Sequence, residues 1–171
     1  MEDIDIIGPK IQEYKLQFIL NVDFWANYNR ELIKLEDLEW KEVKFLDDLG
    51  TDMSSEMEGL PSDSGGIYFF YVKSNIIPGN GYLVYIGRAF YTDSQNLKKR
   101  CRSYYQKYFN ERPKIRRMIR KWGIHLHLRY ICLKDNELIE KLEEELINAI
   151  IPPLNDKIPN KIIRDAVKAF S

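Results

Sequence analysis

Two strand-like runs separated by a turn constrain this chain more than any other feature in it. Gly66-Ile67-Tyr68-Phe69-Phe70-Tyr71-Val72 and Tyr82-Leu83-Val84-Tyr85-Ile86-Gly87 are rich in aromatic and β-branched residues, the types that suit a pleated, half-buried surface. Between them, Pro78-Gly79-Asn80-Gly81 is a dense cluster of turn formers. The spacing predicts a β-hairpin. It sets Tyr68 and Tyr85 on neighbouring strands, each near a glycine that lets another backbone or a ligand come close.

A chain of 171 residues fits one domain, or one domain with an appendage. No apolar run reaches membrane-spanning length, and the start Met1-Glu2-Asp3-Ile4-Asp5 is acidic where a secretory signal would be basic. The expected setting is the cytoplasm, with no membrane partner. Cys101 and Cys132 are too few for a disulfide framework and lack zinc-ligand spacing. The net charge of zero conceals a strong asymmetry. Residues 1–64 carry 16 acidic against 6 basic side chains, whereas residues 65–130 carry 14 basic against only Asp93 and Glu111. The basic middle third points to a polyanion partner; the alternative is a solvated face that neutralises the acidic N-terminal region.

Three segments follow from these shifts: an acidic extension over 1–64, mixed and partly helical; a core over 65–156; and a short amphipathic tail over 157–171. Ile11, Tyr14, Phe18 and Val22 predict a helix after Pro9, residues 32–49 fit helix or strand, and Gly50 to Gly65 reads as a linker. Within the core, Asn96 precedes a helix over Leu97 to Phe109. Pro113 opens a second helix that ends at Trp122 before Gly123. Ile124 to Ile131 alternates as a strand, and Asp135 or Asn136 caps a long helix to Ile150, stopped by Pro152-Pro153. The core order is β-β-α-α-β-α.

Arg100 and Tyr104 stand four residues apart on one helix face. On the last helix, Leu138, Ile139, Leu142, Leu146, Ile147 and Ile150 share one face, and Glu143 falls inside that apolar arc. A carboxylate there either holds a cation or pairs with a buried arginine or tyrosine. His125 and His127 share a strand face, where they would ligate a metal, touch DNA or simply meet solvent.

Together these residues resemble the GIY-YIG nuclease family over Gly65 to about Asp156. Gly66-Ile67-Tyr68 and Tyr85-Ile86-Gly87 match the two name-giving strings, and Arg88 follows the second. Asn96-Leu97-Lys98-Lys99-Arg100 with Ser103-Tyr104 resembles the arginine helix of the family's excision-repair incision nuclease. Glu143, Leu146-Ile147, Pro152 and Asn155 match its C-terminal pattern. A longer hairpin and an apparent insertion over Phe90 to Gln95 depart from it. The resemblance implies an α+β core with a small three-stranded antiparallel sheet flanked by helices. It implies a Mg²⁺-dependent endonuclease, with Mn²⁺ as a substitute, that hydrolyses phosphodiester bonds of double-stranded DNA. The type is restriction or phage defence, with a repair or recombination nickase or a non-catalytic binding module as alternatives.

The roles it implies are Glu143 for the metal, Arg100 for phosphoryl charge and Tyr68 as general base, its pKa lowered by Arg88, Arg100 and the metal. Tyr85 and Tyr104 bond the water or phosphate, although Tyr85 also fits as a packed strand aromatic, and Asn155 braces the site. Arg88, Lys98, Lys99, Arg102, Lys114, Arg116 and Arg117 are the expected nucleic-acid contacts. The acidic extension has three open roles: docking a protein partner, forming a homodimer face, or covering the basic cleft.

Overall fold

The structure, a computed structural model, describes residues 2–105 and 112–170. Ten elements organise it: α1 (Glu2–Tyr14), α2 (Val22–Ala26), β1 (Lys41–Lys44), β2 (Gly65–Val72), β3 (Tyr82–Ala89), α3 (Leu97–Arg102), α4 (Pro113–Trp122), β4 (Leu126–Leu133), α5 (Asn136–Ile150) and α6 (Lys161–Ala169). The strands form one antiparallel sheet in the order β1-β4-β2-β3. The class is α+β, and the β-β-α-α-β-α order from β2 to α5 is the expected one. The expected three-stranded sheet has a fourth strand. β1, from the segment that fits helix or strand, pairs Lys41 with Tyr130 and Lys44 with His127, so β4 does not present an open edge.

Alternation along the central strand β2 divides the core. Tyr68 and Phe70 face α3 and α4, packing with Leu97, Cys101, Tyr104, Ile115 and Met118. Ile67 and Phe69 face α5, packing with Ile139, Leu142, Leu146 and Ile147. The expected linker is built into the first of these layers. Met57 and Leu60 are buried there, and the carbonyls of Pro61 and Ser64 accept from the Lys98 and Leu97 amides. Asn96 Oδ1 accepts from the Lys99 amide at 2.9 Å. These bonds satisfy the free N–H groups at the start of α3 and fix the helix that carries Arg100.

Two helices differ from expectation. α1 runs through Pro9 and stops at Tyr14. The Glu13 and Lys15 carbonyls accept from Arg117 Nη2, which removes acceptors that a longer helix would use internally. α3 ends at Arg102, where the Tyr104 and Tyr105 amides bond three residues back, a tightening typical of a helix end; residues 106–109 of that expected helix lie outside the described residues. β4 starts after a 3₁₀ turn at Gly123–His125 and runs two residues past the expected end. α5 is capped by Asp135, whose Oδ1 accepts from the Glu137 and Leu138 amides. It closes on a left-handed Ile151, φ 50°. Among the described residues, no helix is long and apolar enough to cross a membrane.

Candidate active site

The two tyrosine strings meet across the β2–β3 ladder, where Tyr68 is paired with Gly87. The Tyr68 ring lies over that glycine: a Cβ at position 87 would sit 2.5 Å from the ring and its hydroxyl. Gly66 is required for a different reason. Its φ is +151°, and a Cβ there would meet the Ile131 carbonyl oxygen at 1.9 Å, so β4 can lie close only against a bare backbone.

From α3, Arg100 Nε donates to the Tyr68 hydroxyl at 3.2 Å. The Tyr68 and Tyr104 hydroxyls are 2.6 Å apart, and Tyr104 donates to Tyr85 at 3.2 Å. Because a phenol has one proton to give, the chain is directional. It runs from Arg100 to Tyr68, to Tyr104, to Tyr85, which leaves the Tyr85 proton at the outer end. Burial follows the same order. Tyr68 is 0 % and Tyr104 2 % exposed, while Tyr85 is half-buried. The expectation that Tyr104 reaches water or phosphate directly therefore needs correcting, since its hydroxyl is shared between two other tyrosines.

Burial raises the pKa of all three phenols above the ordinary value. For Tyr68 the neighbouring Tyr85 adds to the effect and Arg100 opposes it. This reverses the expected lowering at Tyr68: desolvation outweighs the guanidinium. Arg88 does not contribute, because it is engaged elsewhere. Arg100 stays a firm cation; burial works against its charge, and the tyrosine oxygens more than compensate.

On the opposite face of β3, Arg88 Nη1 donates to Glu143 Oε2 at 2.6 Å and Nη2 to Glu140 Oε1 at 3.0 Å. Glu143, expected either to hold a cation or to pair, has an arginine partner. Burial raises its pKa, with Arg88 and Arg100 pulling the other way. Glu143 also acts on Tyr85, so the two faces communicate electrostatically. Glu140, one turn before Glu143, escaped the sequence reading; its spacing of three on the helix was the available signal. Asn155 pairs with the outer edge of β3. Its Oδ1 accepts from the Ile86 amide at 2.9 Å, its Nδ2 donates to the Ile86 carbonyl at 2.8 Å, and the Leu154 amide bonds the Val84 carbonyl.

The donor set fits Mg²⁺. This ion commonly takes one or two carboxylates and completes its shell with phosphate oxygens and water. Glu143 Oε1 accepts no hydrogen bond among the described residues, and Glu140 stands beside it on the same arginine. No group of three or more metal-binding side chains occurs among the described residues, so the protein side of such a site would be these two carboxylates.

The expected nucleic-acid contacts are largely held within the chain. Lys98 and Arg102 both pair with Glu58, Lys99 reaches the Ser94 carbonyl, and Lys114 pairs with Asp156. Arg117 bonds the Glu13 and Lys15 carbonyls, and Arg116 is half-buried on α4. The acidic extension supplies further partners: Glu42 to Lys73 and Arg129, and Glu13 to Lys121. His127 lies beside Glu42, its pKa lowered by burial and by Lys73, with Glu42 opposing. His125 Nδ1 is buried without a hydrogen-bond partner among the described residues. The chain matches no protein-family model, no curated protein and no solved structure.

Proposed function

We propose that this chain is a GIY-YIG-type, metal-dependent endonuclease that hydrolyses phosphodiester bonds in double-stranded DNA, of restriction or phage-defence type. The observation that carries this reading is the directional chain Arg100–Tyr68–Tyr104–Tyr85, which ends at the half-buried Tyr85 on the β3 edge. Mg²⁺, or Mn²⁺ in its place, supplies the positive charge that polarises the scissile phosphate and stabilises the leaving oxygen. Glu143, with Glu140 beside it, would hold that ion in place of Arg88.

The tyrosine chain explains how a fully buried base can act. When Tyr68 becomes a phenolate it accepts from both Arg100 and Tyr104. Tyr104 then turns its proton inward and Tyr85 donates to Tyr104, so that as the outer oxygen of Tyr85 takes a proton from the attacking water, the Tyr85 proton passes to Tyr104 and the Tyr104 proton to Tyr68, which ends neutral. Arg100 holds the phenolate through Nε, and its terminal nitrogens face the charge that builds on the phosphoryl oxygens. Asn155 keeps the β3 edge straight by bonding both polar groups of Ile86. One such site cuts one strand, so a double-strand cut takes two copies or two events.

The test is conversion of supercoiled plasmid to nicked circle with Mg²⁺ or with EDTA. Tyr68→Phe, Arg100→Ala and Glu143→Ala are each expected to slow nicking by roughly 100-fold or more. Undiminished cutting by these variants sinks the site assignment. Plasmid binding without metal-dependent nicking identifies a non-catalytic DNA-binding module, the reading favoured by the closed Arg88–Glu143 pair.

A further inference from the structure

We propose that Arg112 is a second phosphate-binding residue, which grips the DNA backbone together with Arg100 across the ring of Tyr104. This rests on the nuclease reading above and adds a residue outside the family-like motifs. The Arg100 guanidinium carbon lies 5.2 Å from the Tyr104 ring centroid, and that of Arg112 lies 5.8 Å from the same centroid. Arg100 spends Nε on Tyr68, and among the described residues its two terminal nitrogens make no hydrogen bond, which leaves them for an anion. Arg112 occupies the N-cap position of α4 but makes no side-chain capping bond, and it is exposed.

Four neighbouring cations are held by carboxylates, and the shared Tyr104 ring separates Arg100 and Arg112 from Lys99, Arg116, Arg117 and Arg120, which have no salt bridge among the described residues. Lys98 and Arg102 are held by Glu58, Lys114 by Asp156 and Lys121 by Glu13. Among the described residues, neither Arg100 nor Arg112 forms a salt bridge, although Arg100 lies within electrostatic reach of Glu143. Two guanidiniums beside one aromatic ring bring two planar sets of donors to one place, a donor arrangement suited to a phosphodiester. Tyr104 provides the ring that both cations lie against.

The experiment measures binding of a fluorescein-labelled mixed-sequence DNA duplex by the full chain in EDTA, over a series of NaCl concentrations, so that no catalysis is needed. The variants are Arg112→Ser, Arg112→Lys and Arg120→Ala. Serine is the better N-cap, so loss of binding by Arg112→Ser with an unchanged melting temperature cannot come from a frayed helix. Arg120 is exposed on the same helix, about 12 Å further along it, and controls for removal of one positive charge. Arg112→Ser is expected to weaken binding about 3- to 10-fold and to lower the slope of log K against log[NaCl] by about 1. Arg112→Lys is expected to restore the slope but only part of the affinity, and Arg120→Ala to stay within about 2-fold of the parent. The shared grip is overturned if Arg112→Ser binds like the parent, or if Arg112→Ser and Arg120→Ala lose equally. Failure of the parent itself to bind duplex overturns the nuclease reading, a result distinct from either.

Discussion

The two faces of the sheet meet at the β3 edge with opposite electrical character. On the α3 side lies a dry chain of three neutral phenols headed by one guanidinium. On the α5 side lies a half-exposed cluster of ions, Arg88 with Glu140 and Glu143. Strand alternation produces the split, since Tyr85 and Gly87 point one way and Ile86 and Arg88 the other. The difference separates two tasks. Burial fixes the geometry of a hydroxyl chain and keeps it protonated, whereas the carboxylates stay within reach of solvent, as the proposed exchange of Arg88 for a cation would require. Asn155 grips the backbone between the two sets.

The most damaging way to break the dry face is Gly87→Ala. The new methyl would overlap the Tyr68 ring and hydroxyl, and overpacking of this kind costs about 1–3 kcal/mol. Because misplacement of a reacting group by an ångström can cost 10²-fold, nicking is expected to fall by about that factor while the fold survives. A parent-like rate and melting temperature would show that the Tyr68 position is not critical. Tyr104→Phe is subtler. It keeps the ring that packs beneath Arg100 and removes the middle hydroxyl, so a relay predicts a fall of roughly 10- to 100-fold, while a purely structural chain predicts almost none.

The pH profile separates the faces without mutation. In the proposed mechanism the active form of Tyr68 is the phenolate, and burial raises its pKa above the ordinary value. The phenolate fraction therefore grows about tenfold per pH unit throughout the neutral range, and log rate is expected to climb with a slope near 1 from about pH 6 to 9 without a plateau. A flat profile would remove tyrosine from the base role.

The dry face was largely legible in the sequence because its parts are local. Alternation and turn residues placed both tyrosines on a hairpin, and helical spacing put Arg100 and Tyr104 on one face. The order of the hydroxyls, and hence which tyrosine meets solvent, depends on how α3 packs on β2, and no periodicity reports that. The ionic face was only half legible. Glu143 stood out as a charge in an apolar arc, but Arg88 comes from a strand 55 positions away, so its pairing is set by tertiary packing. The same limit hid β1, whose four residues join the sheet only because β4 offers an edge. It also hid the role of residues 50–65, where turn-rich composition masked Met57, Leu60 and the carbonyls that anchor α3.

The smallest expected effect sharpens the comparison from the ionic side. Glu143→Gln keeps an oxygen to accept from Arg88 but removes the charge that burial disfavours. The folded-state pKa of Glu143 lies above its ordinary value of 4.5, so between the two the native state binds more protons than the unfolded chain, and stability falls as pH rises through that window. Above the window the ionised carboxylate is a standing cost, and glutamine escapes it. The variant is therefore expected to melt about 1–3 °C higher than the parent at pH 7, and the gap should close as pH falls below 4.5, where the parent is itself protonated. Nicking should be lost over the same range, since an amide is a poor partner for Mg²⁺. A gain in stability with a loss of activity is the pattern of a group kept for chemistry at the expense of the fold. A lower melting temperature at pH 7 would instead make the Arg88–Glu143 pair a structural element, and would leave the dry face as the sole candidate for chemistry.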